Sequence, residues 1–115
     1  MGRVTLAREM DVEEELFAVE TPLGFTVRVT QRYWATILAK HPDLGSRVAD
    51  IQTALRDPQE IRRSRRDSAV LLFYRTDDLP RRWVVAVAKH EGSDGFLVTA
   101  YRTDAIKEGA RLWPK

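Results

Sequence analysis

The sequence predicts an α+β domain in which two N-terminal helices pack on a four-stranded, or slightly larger, antiparallel sheet. Three observations carry this. Trp34, Ile37, Leu38 and His41 recur at helical spacing ahead of Pro42, which gives one helix face an apolar stripe. After Glu60 the pattern changes to alternation and short apolar runs, AVLLFYR, WVVAVAK and GFLVTAYRT, each about the length of a strand. Short, turn-rich breaks join these runs, which suits antiparallel neighbours and leaves the helices on one face of a meander.

In chain order, residues 1–14 read as a polar, acidic lead-in. Residues 15–29 read as a hairpin: Leu16–Val19, then Thr21-Pro22-Leu23-Gly24 as the turn, then Phe25, Val27 and Val29 alternating with polar residues. Thr30 is a fitting N-cap for a helix over 31–40. Pro42 stops that helix and leaves His41 at the end of its core-facing stripe. Asp43 is placed to cap a second helix over Leu44–Arg56, with Leu44, Val48, Ile51 and Leu55 on its apolar side. Ile61–Arg65 is a basic strand expected near a sheet edge. The strands over 69–75 and 83–89 are apolar nearly throughout and belong at the centre. Asp94-Gly95 closes a hairpin loop into Phe96–Arg102, where alternation predicts Thr99 and Tyr101 on the face of Leu97. Ala105–Leu112 suggests a last helical turn. No linker or repeat divides the chain, so a single domain over 1–115 is expected.

Composition narrows the function. The 115 residues are 43% hydrophobic and 31% charged, with no cysteine. A disulfide framework, a thiolate metal site and a cysteine nucleophile are thereby excluded. The two histidines, His41 and His90, have no metal-ligand spacing, so no metal or other cofactor is expected. No apolar run is long enough to span a membrane, and no secretory leader is evident; a cytoplasmic protein without a membrane partner is the expectation. The net charge of +2 is unevenly spread. Residues 1–20 set Arg3 and Arg8 against Glu9, Asp11, Glu13, Glu14, Glu15 and Glu20, a net of −4, so the remainder carries +6. Arg62, Arg63, Arg65 and Arg66 crowd into five positions. Such a run suits a polyanion partner, or is a solvated face.

What chemistry remains is acid–base work by His, Lys, Arg and Tyr. A His at a helix end can serve as general acid or base, though His there ordinarily satisfies the last carbonyls. Lys89 and Arg75 each end an apolar strand. A pair of rim cations can hold a phosphate and stabilise charge developing on it, or can simply keep an edge soluble. Thr99 and Tyr101 bring hydroxyls to mid-sheet, where each needs a partner, yet both are also common strand residues. Together these are the parts of a metal-independent ribonuclease, with Arg62, Arg63, Arg65 and Arg66 on flanking phosphates. The alternatives are a nucleic-acid or protein interaction module without catalysis, and a small regulatory or structural protein.

The runs RYWATILAKHPDL (32–44), ALRDPQEIRRS (54–64), LLFYR (71–75), VVAVAK (84–89) and FLVTAYRTDAIKEG (96–109) resemble the phage-associated branch of the Barnase–EndoU–colicin–RelE nuclease superfamily. The resemblance covers about residues 25–113. Its order of motifs, His-Pro, then Asp-Pro, then Thr-Ala-Tyr, is more specific than any one of them. It implies two N-terminal helices on a four-stranded antiparallel sheet and a metal-independent endoribonuclease, toxin-like or phage-encoded. It also implies RNA as substrate and a cognate inhibitor or antitoxin protein as a second partner. His41 would be the helix-end acid/base, Thr99 and Tyr101 the polar pair of the last strand, and Arg75 and Lys89 the strand-end cations. Many relatives carry a second His five residues before the His-Pro. This chain has Thr36 there, which does not titrate near neutrality; either Lys89 or Tyr101 substitutes, or the domain binds RNA without cutting it well.

Overall fold

The structure is a computed structural model and describes residues 14–106 and 109–114; all of the acidic lead-in over 1–14 except Glu14 lies outside them. The elements are β1 (Glu15–Glu20), β2 (Thr26–Thr30), α1 (Gln31–Lys40), a 3-10 turn (Pro42–Leu44), α2 (Val48–Arg56), β3 (Glu60–Arg63), β4 (Val70–Thr76), β5 (Trp83–Glu91), β6 (Asp94–Thr103) and β7 (Arg111–Trp113).

The expected architecture is corrected here. The sheet is seven-stranded and mixed, in the order β1-β2-β6-β5-β4-β3-β7. The helices are not at its N-terminal end but between β2 and β3. Two segments outside the expected four-stranded meander make the difference. The N-terminal hairpin docks through β2, which runs parallel to β6 over Thr26–Arg28 against Asp94–Phe96. At the other edge, Arg111–Trp113 adds to β3 as a strand rather than ending in a helical turn. The described residues therefore form an α+β layer in which strands outnumber helices.

Local rules explain most elements. Phe17 and Val19 are buried while Ala18 and Glu20 are exposed, the alternation of a half-buried strand. The Thr21 hydroxyl accepts from the Leu23 N–H at 3.2 Å, and Gly24 turns at φ 88°, which closes the hairpin. The Thr30 hydroxyl accepts from the Tyr33 N–H at 3.1 Å, capping α1 as its type predicts. α2 starts later than expected. Gly45 and Ser46 interrupt the apolar pattern, Pro42–Leu44 tightens into the 3-10 turn, and Arg47 stands at the N-cap position without a side-chain cap. Asp43 is thereby freed from capping.

The sheet curls around α2. Phe25, just before β2, and Phe73 of β4 have β6 and β5 between them, yet their rings meet edge to face at 6.4 Å. A flat sheet would hold such strands about 14 Å apart. Inside the curl, Leu44, Ile51, Ala54 and Leu55 pack on Val84, Ala86, Ala88, Phe73 and Ile61, and the three alanines let the helix approach closely. The outer face carries a second cluster, Leu72, Tyr74, Val85 and Val87, with Tyr101, Trp83 and Ile106 against it. Ile106 lies in the connection from β6 to β7, which therefore crosses this outer face.

That crossing is pinned at Gly109. It adopts φ 75°, and a Cβ there would fall on the Arg63 carbonyl. The Gly109 carbonyl accepts from the Arg62 guanidinium at 3.0 Å, and the Ala110 carbonyl from the Arg63 N–H at 2.9 Å. Gly109→Ala is expected to detach β7 from β3. Amide exchange should rise at Arg63 while the β4–β5 amides keep their protection; unchanged exchange at Arg63 would contradict this pinning.

Candidate active site

β2 pairs with β6 only as far as Phe96. Beyond that point a side chain of α1 reaches the β6 backbone. The Tyr33 hydroxyl donates to the Val98 carbonyl at 2.7 Å, giving that carbonyl a partner. Val98 is the extra residue of a β-bulge: Val87 pairs with Thr99, but the next residue, Ala88, pairs with Leu97. The bulge corrects the expected alternation. Leu97 points into the curl and is buried, whereas Thr99 and Tyr101 point to the outer face, opposite Val87 and Val85. One inserted residue moves every later side chain to the other side.

α1 ends against this bulged half of β6. The His41 N–H donates to the Ile37 carbonyl at 2.9 Å, and the His41 carbonyl accepts from Leu44 N–H at 3.0 Å. The backbone thus fixes the His-Pro corner, and the imidazole is half-buried. Its ring centroid lies 6.2 Å from that of Tyr101, with 36° between the planes. Two residues sixty positions apart in sequence are brought side by side, with Thr99 two residues back on the same strand face.

The other expected site residues are dispersed. Lys89 is on the outer face with Thr99 and Tyr101, but it pairs with Val70 and Phe96, four residues along β5 from Val85, or about 13 Å. Its ammonium is 3.6 Å from Asp67. Arg75 pairs with Val84, on the inner face and at the far end of β5 from Lys89. There its guanidinium donates to the Asp57 carbonyl at 2.6 Å and to the Asp57 carboxylate at 3.2 Å, capping the end of α2. The two cations therefore do not form one phosphate clamp. Arg62 is held by Glu60 and Gly109. Arg63, Arg65 and Arg66 are exposed and have no ion pair among the described residues. Thr36 is exposed, about 140° around α1 from His41 by helical geometry, with its hydroxyl turned to the Arg32 carbonyl at 3.5 Å.

An ion network that the sequence does not advertise holds the His41 corner to the sheet. Arg102, next to Tyr101, lies 3.7 Å from Asp43, two residues past His41, and 2.7 Å from Asp77. Asp77 also binds Arg47 at 2.7 Å, and its side chain is 1% exposed. Burial alone would raise the Asp77 pKa. The Asp78 N–H and the Arg102 and Arg47 guanidinium groups outweigh it and lower the value to about 2. The same hydrogen bond raises the Arg47 pKa. One buried carboxylate thus fastens the β4–β5 loop, the start of α2 and the end of β6.

Sequence reasoning also passed over Tyr33 and Phe96. They line a groove of about 440 Å³ with Glu15, Arg28, Val29, Thr30 and Leu97, at the fork where β2 leaves β6. Among the described residues no three His, Cys, Asp or Glu side chains converge as a metal site, and no helix is long and apolar enough to cross a membrane. No protein family, curated protein or solved structure matches this chain.

Proposed function

We propose that this chain binds single-stranded RNA and cleaves it without a metal at the His41–Tyr101 pair. The observation that carries the reading is the 6.2 Å approach of the two rings at a corner fixed by backbone hydrogen bonds. In the reaction, the His41 imidazole takes the 2′-hydroxyl proton. The 2′-oxygen attacks phosphorus, the bond to the 5′-oxygen breaks, and the Tyr101 hydroxyl gives that oxygen a proton. The products are a 2′,3′-cyclic phosphate and a 5′-hydroxyl. Thr99 offers a hydroxyl to the phosphate. Lys89 is partly exposed, and its long pair with the partly exposed Asp67 exchanges readily for a phosphate. Its neighbour is the 64–69 connection, where Arg65 and Arg66 extend the cationic track, since the His90 N–H donates to Ala69 and Lys89 meets Asp67. Binding without cleavage is the second reading. The dispersal of Arg75 and Lys89, and Thr36 in place of a second imidazole, favour it.

Incubation with single-stranded RNA in EDTA tests both. Cleavage leaving cyclic phosphate ends supports the first reading; salt-sensitive binding without products supports the second. Replacing Arg63, Arg65 and Arg66 by Gln is expected to flatten the dependence of log affinity on log salt by about 2–3. Neither cleavage nor salt-sensitive binding by the wild-type chain would sink both readings.

A further inference from the structure

We propose that the groove between Tyr33 and Phe96 is a subsite for an unpaired nucleobase of single-stranded RNA, an inference that rests on the RNA reading above and adds a second point of attachment to it. Tyr33 and Phe96 are the exposed aromatic side chains among the described residues, at 41% and 43%, and both line the same groove. The remaining Phe, Tyr and Trp rings among the described residues are wholly or partly buried. Two rings left in water and gathered at one cleft mark a binding surface rather than scattered exposure.

The register names the ligand. Phe96 pairs with Arg28 on one side and with Lys89 on the other, so all three share the outer face in the order cation, aromatic, cation. An apolar peptide has no use for the flanking charges. A single nucleic-acid strand has a use for both, because each base offers a π-face and each link a phosphate. Arg28 is held by Glu15 at 2.9 Å and Asp94 at 3.6 Å, both at half-exposed surface positions, and such pairs give way to a phosphate at little cost. The Tyr33 ring is held in place by its bond to the Val98 carbonyl, so little freedom is lost when a base enters.

The position also fits the proposed reaction. Phe96, Thr99 and Tyr101 lie along one face of β6; Phe96 pairs with Lys89 and Tyr101 with Val85, so the bulge leaves them about 13 Å apart along the strand. A strand cleaved at His41 and Tyr101 therefore passes over Phe96 before it reaches the arginines of the 64–69 connection. The bulge at Val98 makes this alignment, since it returns Thr99 and Tyr101 to the side that Phe96 occupies.

The test compares a short single-stranded RNA with an abasic oligonucleotide of the same length, using the full chain and Phe96→Ala, with Phe96→Tyr as the rescue. Because Phe96 is exposed, the melting temperature of Phe96→Ala should stay near wild type, and that is checked first. The wild type is expected to prefer RNA over the abasic strand by about tenfold. Phe96→Ala should erase that preference and leave the abasic affinity unchanged; Phe96→Tyr should restore it. If the wild type binds RNA but Phe96→Ala binds it equally well, or if the wild type does not distinguish the two strands, the subsite is wrong and the RNA reading stands. If the wild type binds neither strand, the RNA reading fails and this inference falls with it.

Discussion

Asp77→Ala is expected to lower stability by about 3 kcal/mol, and the melting temperature by about 12 °C for a domain of this size. The Asp77 side chain is 1% exposed and lies 2.7 Å from both Arg47 and Arg102. Its removal leaves two largely covered guanidinium groups facing each other and frees an Asp78 N–H that was bonded at 2.7 Å. The loss is that of the buried partner: Arg47 keeps only Asp50 at 3.3 Å and Asp78 at 3.9 Å, and Arg102 only Asp43 at 3.7 Å, all of them solvent-exposed carboxylates, so the cost exceeds the net worth of the pairs themselves. Asp78→Ala is the control, since that side chain is 91% exposed and should change little. The pH dependence has a definite sign. The folded-state pKa of Asp77 lies near 2, below its ordinary 3.8. Its contribution is therefore fully present above about pH 4 and is lost as pH falls through the region of 2. Asp77→Asn should remove that stretch of the acid limb and lower stability at neutral pH. Equal melting temperatures for Asp77→Ala and Asp78→Ala would mean the network does not hold the fold.

How much of this was readable in advance depended on the range of the interaction. α1 is dictated by its own residues: Thr30 at the cap, Trp34 and Ile37 on one face, Pro42 at the stop. The hairpin over 15–29 is equally local. Its docking beside β6 is not, because a parallel pair forms between segments about seventy residues apart and leaves no mark in either. The helical turn expected at 105–112 failed for a related reason. Leu112 and Trp113 are too short a pattern to carry a period, and Gly109, whose left-handed turn starts β7, looks like any loop glycine; residues 107–108 of that stretch lie outside the described region. The bulge at Val98 has no residue signature at all, so alternation alone puts Thr99 and Tyr101 on the wrong face of the right strand. The ion network was invisible because Asp43, Arg47, Asp77 and Arg102 come from four separate elements. Arg102 sits inside the last-strand run that drew attention, and Asp77-Asp78 had the look of a turn, but only the fold brings them together.

His41→Ala is expected to lower RNA cleavage by about 10²–10⁴-fold, and Tyr101→Phe by about 10²-fold, the range for one positioned proton-transfer group. Both should leave binding near wild type. The corner at residue 41 is held by main-chain bonds to Ile37 and Leu44, which alanine keeps, so the loss is not one of folding. The pH–rate profile separates a proton-transfer role from a packing role. If His41 accepts the proton, the limb of the profile that it supplies disappears in His41→Ala, whereas mere loosening lowers the whole curve without changing its shape. The double variant should fall little below the worse single one, because a base and an acid that act in the same phosphoryl-transfer step are not additive. The ion network enters here too. Asp43 and Arg102 link the residues flanking His41 and Tyr101, so Arg102→Ala should lower the rate while keeping the profile's shape. Full activity in His41→Ala would remove His41 from the chemistry, and the 6.2 Å approach of the two rings would then be packing at the end of a helix.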